Sequence, residues 1–435
     1  MNSKASLEKI VSLCKRRGFA FPSAEIYGGI NGIYDFGPLG VALRQNLKNA
    51  WIKNLTTSGE DVVLIEGSLL GPEGVWRASG HVDNFSDPMV DCLSCKKRYR
   101  TDEIDLNKSC PSCGVKKWTE PRQFNMMFKT ELGAMAENAS IAYLRPETAQ
   151  AIFINFKNVM TSSRVKIPFG IAQIGKAFRN EITPKQFLFR MREFEQMEMQ
   201  FFCQEKDASK FFDFWIDIRR KFYDSIGFKS ENIHFRDHEK NELAHYAKAA
   251  RDIEYDFPFG WKEMEGIHNR SNFDLSQHTK FSGKDLGVYD DETKQSYIPN
   301  VIECSVGLDR LFFATLCDSF DEDTVENETR TVLRFHPSIA PVKAAVLPLS
   351  KKLSEPAEKI YKNLKSLGYN VQFDSAGSIG KLYRRQDEIG TPICFTYDFD
   401  SETDHKVTAR NRDTLIQERI SIDKVADYLA ETLKK

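Results

Sequence analysis

The hydrophobic pattern of this chain changes character once, and that change most constrains its fold. Over about the first three hundred residues, apolar residues alternate with polar ones in runs such as EFEQMEMQFF (193–202). Alternation of period two predicts antiparallel strands with one buried face. Farther on, the buried-strand run AAVLPL (344–349) precedes a helical pattern that Ser354 opens and Gly368 closes. The sequence therefore predicts an α+β domain followed by an α/β domain with a largely parallel sheet.

An acidic stretch, DSFDEDTVENETRT (318–331), separates the two patterns. Short helical turns would fit there, but the loss of apolar periodicity favours a domain boundary between residues 321 and 340. We place the first domain at residues 1–335 and the second at residues 336–435. The 435 residues of the chain are enough for both.

Composition excludes several classes of protein. The formal net charge is −1, which gives no sign of a nucleic-acid partner, although a balanced total can hide a local basic patch. No run approaches the length of apolar sequence that spans a membrane, so no membrane partner is expected. The basic start of the chain places Leu7, Ile10, Val11 and Cys14 at helical spacing, which favours a first helix over a transit peptide.

Cysteine usage indicates a reducing compartment and one metal site. Five of the nine cysteines stand singly among apolar residues, so we expect a cytoplasmic protein. The other four form two CxxC pairs inside an insertion at about residues 90–120, and they are Cys92, Cys95, Cys110 and Cys113. Two such pairs predict a structural tetrahedral zinc site, with four reduced cysteines and no metal as the alternative.

Three further segments place arginines and glutamates close together. They are LRPET (144–148), FRNEI (178–182) with FRMREFEQME (189–198), and ECSVGLDR (303–310). The planar guanidinium of arginine suits phosphate oxygens, and an aromatic ring offers a face for a base. Each segment alone would fit a solvated strand edge or helix end, but the three together, in this order, favour a phosphate-binding site.

These segments resemble the second and third signature motifs of class II aminoacyl-tRNA synthetases. Within that class, the chain resembles the dimeric, single-polypeptide glycyl-tRNA synthetases over nearly its whole length. The segments that carry this resemblance are EIYGGINGIYDFGPLG (25–40), WRASGHVDNFSDPMVDC (76–92), RPETAQ (145–150), FRNEITP (178–184), REFEQME (192–198), VIECSVGLDR (301–310) and SAGSIGKLYRRQDEIGTP (375–392).

The resemblance implies an antiparallel catalytic sheet flanked by helices, a C-terminal anticodon-binding domain and a homodimer. It implies ATP, glycine and tRNA(Gly) as substrates, and Arg179 and Arg310 as catalytic residues that hold the α- and γ-phosphates. Phe194 is expected to stack on adenine, and Glu263 to help hold Mg²⁺. The ATP-binding residues implied are Arg179, Asn180, Glu181, Phe189, Arg190, Arg192, Glu193, Phe194, Glu263, Met264, Gly307, Leu308, Asp309 and Arg310.

For glycine, the resemblance implies glutamates against the ammonium group and an arginine fork on the carboxylate. The implied residues are Arg100, Glu147, Phe194, Glu195, Gln196, Met197, Glu198, Arg270, Glu303 and Ser305. No editing domain is expected, because a filled pocket rejects every larger amino acid by overlap.

The chain departs from the family pattern in one segment. Cys304 stands where the family usually has proline, and Asn300 and Val306 are also less typical, so we expect a looser backbone beside Ser305. Two other functions would fit the same class, a synthetase for another amino acid and a non-acylating paralogue that binds nucleic acid. The RPET and REFEQME segments oppose the first, and the motif arginines Arg179, Arg192 and Arg310 oppose the second.

Overall fold

The computed structural model describes residues 6–101, 104–133, 140–239, 242–243, 247–325 and 327–434. Its strands are β1 (Ala20–Pro22), β2 (Tyr34–Phe36), β3 (Val62–Leu64), β4 (Leu70–Pro72), β5 (Ser86–Asp91), β6 (Arg98–Arg100), β7 (Arg122–Asn125), β8 (Lys129–Leu132), β9 (Ser140–Leu144), β10 (Phe169–Phe178), β11 (Glu193–Cys203), β12 (Ile233–Asp237), β13 (Ala249–Phe257), β14 (Gly260–Ser271), β15 (Val288–Asp290), β16 (Gln295–Tyr297), β17 (Asn300–Gly307), β18 (Phe320–Val325), β19 (Glu328–Leu333), β20 (Ala344–Pro348), β21 (Val371–Phe373), β22 (Ile393–Tyr397), β23 (Lys406–Asn411) and β24 (Gln417–Ser421).

Its α-helices are α1 (Leu7–Arg17), α2 (Pro38–Thr56), α3 (Glu73–Ala78), α4 (His81–Asn84), α5 (Ala149–Ile154), α6 (Phe156–Ser163), α7 (Ala208–Ser225), α8 (Phe273–Ser282), α9 (Leu308–Ser319), α10 (Ser354–Ser366), α11 (Ile379–Ile389), α12 (Ser401–Asp404) and α13 (Val425–Thr432). Helix α1 starts at the predicted amphipathic segment, where the Ser6 side chain accepts a hydrogen bond from the Lys9 amide and so caps the helix.

A seven-stranded sheet forms the centre of the first domain, in the order β12-β13-β14-β17-β11-β10-β3. Neighbouring strands are antiparallel except at the edge, where β3 pairs with β10 in parallel. The period-two alternation of β11 divides its side chains between two faces of this sheet. Met197, Met199 and Phe201 join the main hydrophobic core behind the sheet, whereas Glu198 and its even-numbered neighbours lie on the front.

The main core lies between the back of the sheet and helices α2, α7 and α9. These helices present large side chains such as Trp51, Trp215 and Phe312, all fully buried. A second core on the front face packs α5 and α6 against β10 through Phe153, Phe156 and Phe169. Because both faces are covered near the sheet's β10 edge, the polar side chains of β14, β17 and β11 are confined to one opening.

The acidic stretch after α9 is a β-hairpin of β18 and β19, not a set of helical turns. Arg330 on β19 is fully buried and forms ion pairs with Asp323 on the same hairpin and Asp387 on α11. Its Nη1 also donates a 2.8 Å hydrogen bond to the carbonyl of Arg412. The hairpin therefore contacts the C-terminal region through buried charge.

The C-terminal region contains its own five-stranded sheet, in the order β21-β20-β22-β23-β24. Strands β21, β20 and β22 are parallel, as the strand–helix alternation predicts, whereas β23 and β24 are antiparallel. The sheet is therefore mixed, not largely parallel. Helices α10 and α13 pack on one core, which includes Val346 and Leu429, and α11 packs on a second through Leu382.

Candidate active site

A cavity of about 320 Å³ opens on the front face of the seven-stranded sheet. Most of the residues that the sequence assigns to the site line it. They are Glu147, Arg179, Glu181, Phe189, Arg190, Phe194, Glu195, Gln196, Glu198, Glu263, Met264, Arg270, Glu303, Ser305, Gly307, Asp309 and Arg310. Segments that lie more than 150 residues apart in the sequence thus meet at one opening.

Cross-strand register explains why these side chains converge. Glu198 on β11 stands opposite Ser305 on β17, and Ser305 stands opposite Gly266 on β14. Alternation then places every second residue of the three strands on the same face. Three adjacent strands therefore supply one continuous polar floor.

Two arginines mark one end of the cavity. Arg179 lies between two aromatic rings, with its guanidinium carbon 5.3 Å from the ring centre of Phe85 and 5.2 Å from that of Phe194. Its Nε donates a 3.0 Å hydrogen bond to the carbonyl of Pro146. These contacts fix the arginine in the cavity lining, where its guanidinium charge suits an anion.

The second arginine, Arg310, follows β17 at the start of α9. Its guanidinium carbon lies 4.4 Å from the ring centre of Phe189, and its Nη1 donates to the Glu263 carbonyl at 3.0 Å. The Glu263 carboxylate is 3.4 Å from the same nitrogen and half exposed. Partial desolvation opposes ionisation of Glu263, but Arg310, His268 and Arg179 outweigh it and hold the pKa of that carboxyl below its ordinary value.

Three glutamates, Glu147, Glu198 and Glu303, define the other end of the cavity. Glu198 Oε1 accepts hydrogen bonds from Ser305 Oγ at 2.9 Å and Gln196 Nε2 at 3.0 Å. Glu198 Oε2 is buried and makes no well-formed hydrogen bond to a described residue. A buried carboxylate oxygen without a well-formed hydrogen bond is costly, so a positively charged ligand would be stabilised there.

The three carboxyl groups titrate at different pH values. Burial, reinforced by the charges of Glu303 and Glu147, raises the pKa of Glu198 to about 8. Burial also opposes ionisation of Glu303, but Arg270 and His268 outweigh it and bring its pKa to about 2. His81 and Arg270 likewise hold the pKa of Glu147 below its ordinary value against burial. At neutral pH, Glu147 and Glu303 are ionised and Glu198 keeps its proton.

The guanidinium of Arg270 faces protein carboxylates in this structure. Its Nε and Nη2 bind Asp274 at 2.8 and 2.9 Å, and its Nη1 donates to Glu303 Oε2 at 3.0 Å. The resemblance implies that an arginine forks onto the glycine carboxylate, and Arg100 and Arg270 are the arginines among the residues implied for glycine. In this structure the fork of Arg270 is directed at Asp274. Its remaining nitrogen, Nη1, binds Glu303 and so orients that carboxylate in the site.

Six assigned residues stand beside the lining instead of in it. Met197 and Leu308 pack into the main core, so their side chains point away from the cavity. Arg100 Nη1 binds Asp87 at 2.8 Å on the small sheet of β5, β6 and β7. The remaining three surround Arg179: the Asn180 amide donates to the Met126 carbonyl, Arg192 Nε donates to the Glu181 carbonyl, and Glu193 pairs with Lys176.

Glu195 and Asp309 have side chains engaged below the cavity floor. Arg44 on α2 donates to Glu195 Oε2 at 2.7 Å and also binds Asp309, and Lys48 lies 2.6 Å from Glu195 Oε1. Asp309 Oδ2 accepts a 2.7 Å hydrogen bond from the Glu195 amide. This buried network ties α2 to β11 and α9, so the two residues support the site from behind.

Six residues line the cavity that the sequence motifs do not indicate: Leu188, Met191, His238, Asp252, Gly266 and His268. A signal existed for two of them, since Gly266 and His268 alternate with Arg270 along β14. Strand β17 is continuous at Cys304, which pairs with Met199 and Ile267 in its two ladders. The ladder beside Ser305 is thus regular, and a looser backbone there stays a prediction.

The two CxxC pairs meet in space at the end of β5. The ligand atoms of Cys92, Cys95, Cys110 and Cys113 all lie within 4.8 Å of one another. Cys92 Sγ and Cys113 Sγ are 3.6 Å apart, and Cys95 Sγ and Cys110 Sγ are 3.7 Å apart. Zn–S bonds of about 2.3 Å in a tetrahedron place sulfurs about 3.8 Å apart, so this donor set fits zinc.

A second, basic cavity of about 800 Å³ lies on the C-terminal region. It is bordered by the first half of α11, the tip of the β18–β19 hairpin and the β23–β24 turn. Lys381, Arg384, Arg385 and Arg410 line it. Arg385 Nη1 is bound to Asp374 at 2.8 Å, whereas Lys381 is exposed.

Comparison with known proteins assigns both regions. Residues 128–319 match the family described as "tRNA synthetase class II core domain (G, H, P, S and T)", and residues 343–432 match "Anticodon binding domain". The chain is 52% identical to the glycine–tRNA ligase of Caldanaerobacter subterraneus subsp. tengcongensis over 100% of both chains. This chain belongs to the glycine–tRNA ligase family.

Other members of the glycine–tRNA ligase family are similarly close. The Treponema denticola member is 52% identical, covering 96% of this chain and 95% of its own. The Borreliella burgdorferi member is 51% identical, covering 97% and 96%. The predicted class II synthetase core and anticodon-binding domain are thereby confirmed, and a class II core uses ATP and Mg²⁺. None of the helices in the described ranges has the length and apolar character needed to cross a bilayer.

Proposed function

We propose that this site activates glycine with ATP, releasing pyrophosphate, and then transfers the glycyl group from the adenylate to the 3′ end of tRNA(Gly). Family membership supports the reaction. The observation that carries the assignment to this cavity is the placement of three glutamates, Glu147, Glu198 and Glu303, beside two phosphate-competent arginines, Arg179 and Arg310. One end suits an ammonium group and the other a triphosphate.

At the nucleotide end, Arg179 binds the α-phosphate, and its charge stabilises the negative charge that develops when the glycine carboxylate attacks. Arg310 binds the γ-phosphate. Phe194 stacks on adenine, with Arg190, Glu181 and Met264 at the sides. Glu263 supplies a half-exposed, ionised carboxylate beside Arg310, which is the hard oxygen ligand that Mg²⁺ takes. When bound, Mg²⁺ neutralises charge on the phosphates.

At the amino-acid end, the ammonium group of glycine lies against Glu198 Oε2, with Glu147 and Glu303 completing the negative pocket. Ser305 and Gln196 hold Glu198 in place through the bonds to its Oε1. The floor at this end is built of hydrogen-bonded side chains, and a rigid floor of this kind would reject the β-carbon of a larger amino acid by overlap. This rigidity accounts for glycine selection without a second hydrolytic site.

ATP–pyrophosphate exchange with single amino acids tests this function. Glycine is expected to support exchange, whereas alanine and serine support less than about 1% of that rate, since an added methyl costs several kcal/mol in a filled site. A Glu198→Gln variant keeps the shape of the side chain but removes the acceptor charge, so its KM for glycine rises while its KM for ATP does not. Equal exchange with alanine would refute the assignment.

We propose that the four-cysteine cluster binds one structural zinc. The measured sulfur spacings support this, and four thiolates leave no open position for a substrate. The backbone supports it too, because the two CxxC turns are built alike. The Lys96 and Gly114 amides each donate to the carbonyl of the first cysteine in their turn, and both residues have positive φ. Bound zinc would tie these turns together.

We also propose that the chain works as a homodimer in the cytoplasm. Several large apolar side chains are strongly exposed near the start of the chain, including Ile26 at 89%, Tyr27 at 88% and Val41 at 57%. Exposed apolar groups of this size favour burial against a second subunit. Light scattering on the purified protein checks this, with a mass of about twice the 49.9 kDa chain expected.

The domain division at residues 335 and 336 remains our proposal. It falls between the β18–β19 hairpin and β20, a few residues before the main core ends at Ala340 and the C-terminal core begins at Ala344. The C-terminal domain binds the anticodon arm, with phosphates in the basic cavity beside Lys381 and Arg384.

A further inference from the structure

His268 occupies a place in the cavity wall that the roles above leave unassigned. It lies on β14 opposite Glu303 of β17, and its ring packs over Gly266. A Cβ atom added at Gly266 would lie 2.6 Å from Cε1 of this ring. Only glycine at residue 266 therefore leaves room for the imidazole on the cavity floor.

One nitrogen of the His268 ring is held by a carboxylate. Nδ1 lies 2.9 Å from Glu303 Oε1, and Glu303 Oε2 accepts hydrogen bonds from Arg270 Nη1 at 3.0 Å and Gln200 Nε2 at 2.7 Å. Because the ionised carboxylate of Glu303 can only accept, Nδ1 must donate. The neutral ring then carries its lone pair on Nε2.

The other nitrogen is open to the cavity. The His268 side chain is 19% exposed and lines the same space as Arg179 and Ser305, and no described residue hydrogen-bonds to its Nε2. His81, which lies beside Glu147, provides a contrast. Its Nδ1 contacts Ser79 Oγ at 2.8 Å and its Nε2 contacts Glu147 at 3.4 Å, so both of its nitrogens are occupied.

We propose that His268 is the general base of the transfer step, and this inference rests on the proposed aminoacylation. A carboxylate-bound imidazole with a free nitrogen is the arrangement that removes a proton from an attacking hydroxyl. Nε2 takes the proton of the terminal ribose hydroxyl of tRNA as its oxygen bonds to the glycyl carbonyl carbon. The bond from that carbon to the phosphate oxygen breaks, and AMP leaves with the electron pair. The proton then passes from His268 to solvent.

The charges around His268 favour its role as a proton acceptor. Burial lowers its pKa, but the hydrogen bond and charge of Glu303 outweigh it, so the pKa is raised above the ordinary value. Glu263 on β14 and Asp252 on β13 also favour the protonated ring, while Arg270 on β14 opposes it. His238, after β12, faces the ring edge-on at 6.4 Å between centres.

A His268→Asn variant distinguishes the roles of the two ring nitrogens. The asparagine amide can still donate to Glu303 from the position of Nδ1, but nothing replaces Nε2. Rapid-quench measurement should show that single-turnover transfer from enzyme-bound glycyl-adenylate falls about 10²–10⁴-fold relative to the rate of ATP–pyrophosphate exchange. The matched control is His234→Asn. His234 lies on the outer strand β12, and it also pairs with a glutamate, Glu254 on β13, at 2.8 Å. Its ratio of the two rates should equal that of the wild type.

The wild-type protein provides a second measurement that needs no variant. Its transfer rate should rise with pH through the raised pKa of His268 and then level off, and this dependence should disappear in His268→Asn. A wild-type transfer rate that stays flat between about pH 6 and about pH 8 overturns the proposal. Equal losses of exchange and transfer in the variant also overturn it, because His268 would then act by holding Glu303. Absence of glycine-dependent exchange in the wild type would instead refute the proposed function.

Discussion

Ser305 donates a 2.9 Å hydrogen bond to Glu198 across 107 residues of sequence, and this bond joins two signature segments at the amino-acid end of the site. It leaves the second oxygen of Glu198 buried and facing the cavity. The relationship gives Glu198 two states, a protonated one without ligand and an ionised one with an ammonium group against it.

Glycine affinity should therefore increase as the pH rises. The pKa of Glu198 is raised to about 8, so below that pH glycine must displace a proton to bind. The KM for glycine in the exchange reaction should fall about tenfold between about pH 7 and about pH 9, then level off. Glu198→Gln should raise KM and remove this dependence. A KM that increases with pH in the wild type would contradict the sign of the effect.

Arg310→Ala should nearly abolish activation without unfolding the protein. Arg310 is partly exposed and contacts Glu263 and the Phe189 ring at the rim of the site, so little of the fold depends on it. Loss of a transition-state phosphate contact typically costs about 3 kcal/mol, which corresponds to a rate loss of about 10²-fold or more. Arg220→Ala, on the back helix α7, serves as the charge-matched control. Normal exchange in Arg310→Ala would remove this residue from the ATP site.

The sequence predicted the assembly of the site better than its details. Motif segments such as FRNEI and ECSVGLDR do meet at one cavity, because each has a local pattern that can be read directly. The Arg44–Asp309 pair spans 265 residues, and nothing in the local sequence of α2 indicates that its arginine lies beneath β11. Such contacts can be predicted only when the sheet register and the helix packing are both known.

The same limit applies to individual side chains and to the second sheet. Met197 belongs to a site segment, but the alternation along β11 points its side chain into the main core. Arg270, at the end of β14, meets Asp274 in the first turn of α8, and the motif does not reveal this contact. In the C-terminal region, the runs of β23 and β24 are short and polar, so the strand–helix alternation before them wrongly suggested that parallel pairing continues.

Arg219→Met should destabilise the fold strongly. Arg219 on α7 is fully buried, and its Nε and Nη2 bind Glu265 of β14 at 2.6 and 3.2 Å. Removing one partner leaves the other charge buried, which typically costs about 3–5 kcal/mol. Urea unfolding should show this loss, whereas the neighbouring Arg220→Ala should cost about 1 kcal/mol or less. Equal stability of the two variants would show that the buried pair is not stabilising.

Zinc content should depend on all four cysteines. Protein purified without chelator is expected to contain one zinc per chain by elemental analysis, and Cys110→Ser should lose most of it. Cys394→Ser is a suitable control, because Cys394 is buried in the C-terminal sheet away from the cluster. Zinc loss should lower the melting temperature, since the metal binds the folded insertion. Wild-type protein with no zinc and full stability would favour reduced, metal-free cysteines.

The basic cavity on the C-terminal region makes a prediction about tRNA that leaves activation untouched. Lys381 and Arg384 lie on α11 at the cavity surface, and removing both charges should weaken binding to tRNA phosphates. Arg385 is unsuitable for this test, because its bond to Asp374 makes it part of the local fold. The double variant Lys381→Ala/Arg384→Ala should raise the KM for tRNA about tenfold, while ATP–pyrophosphate exchange stays at the wild-type rate.

The matched control for that variant removes two charges from α10. Lys359 and Lys362 are exposed there, each near a glutamate one helical turn away, so Lys359→Ala/Lys362→Ala makes the same change in net charge. The salt dependence of tRNA binding further distinguishes phosphate binding by Lys381 and Arg384 from a solvated surface role for these residues. Each lost phosphate contact reduces the slope of log K against log salt by about 0.7–0.9, so the α11 variant should show a smaller slope than the wild type. If both variants charge tRNA like the wild type, then Lys381 and Arg384 are solvated surface residues, and the anticodon arm binds elsewhere on the domain.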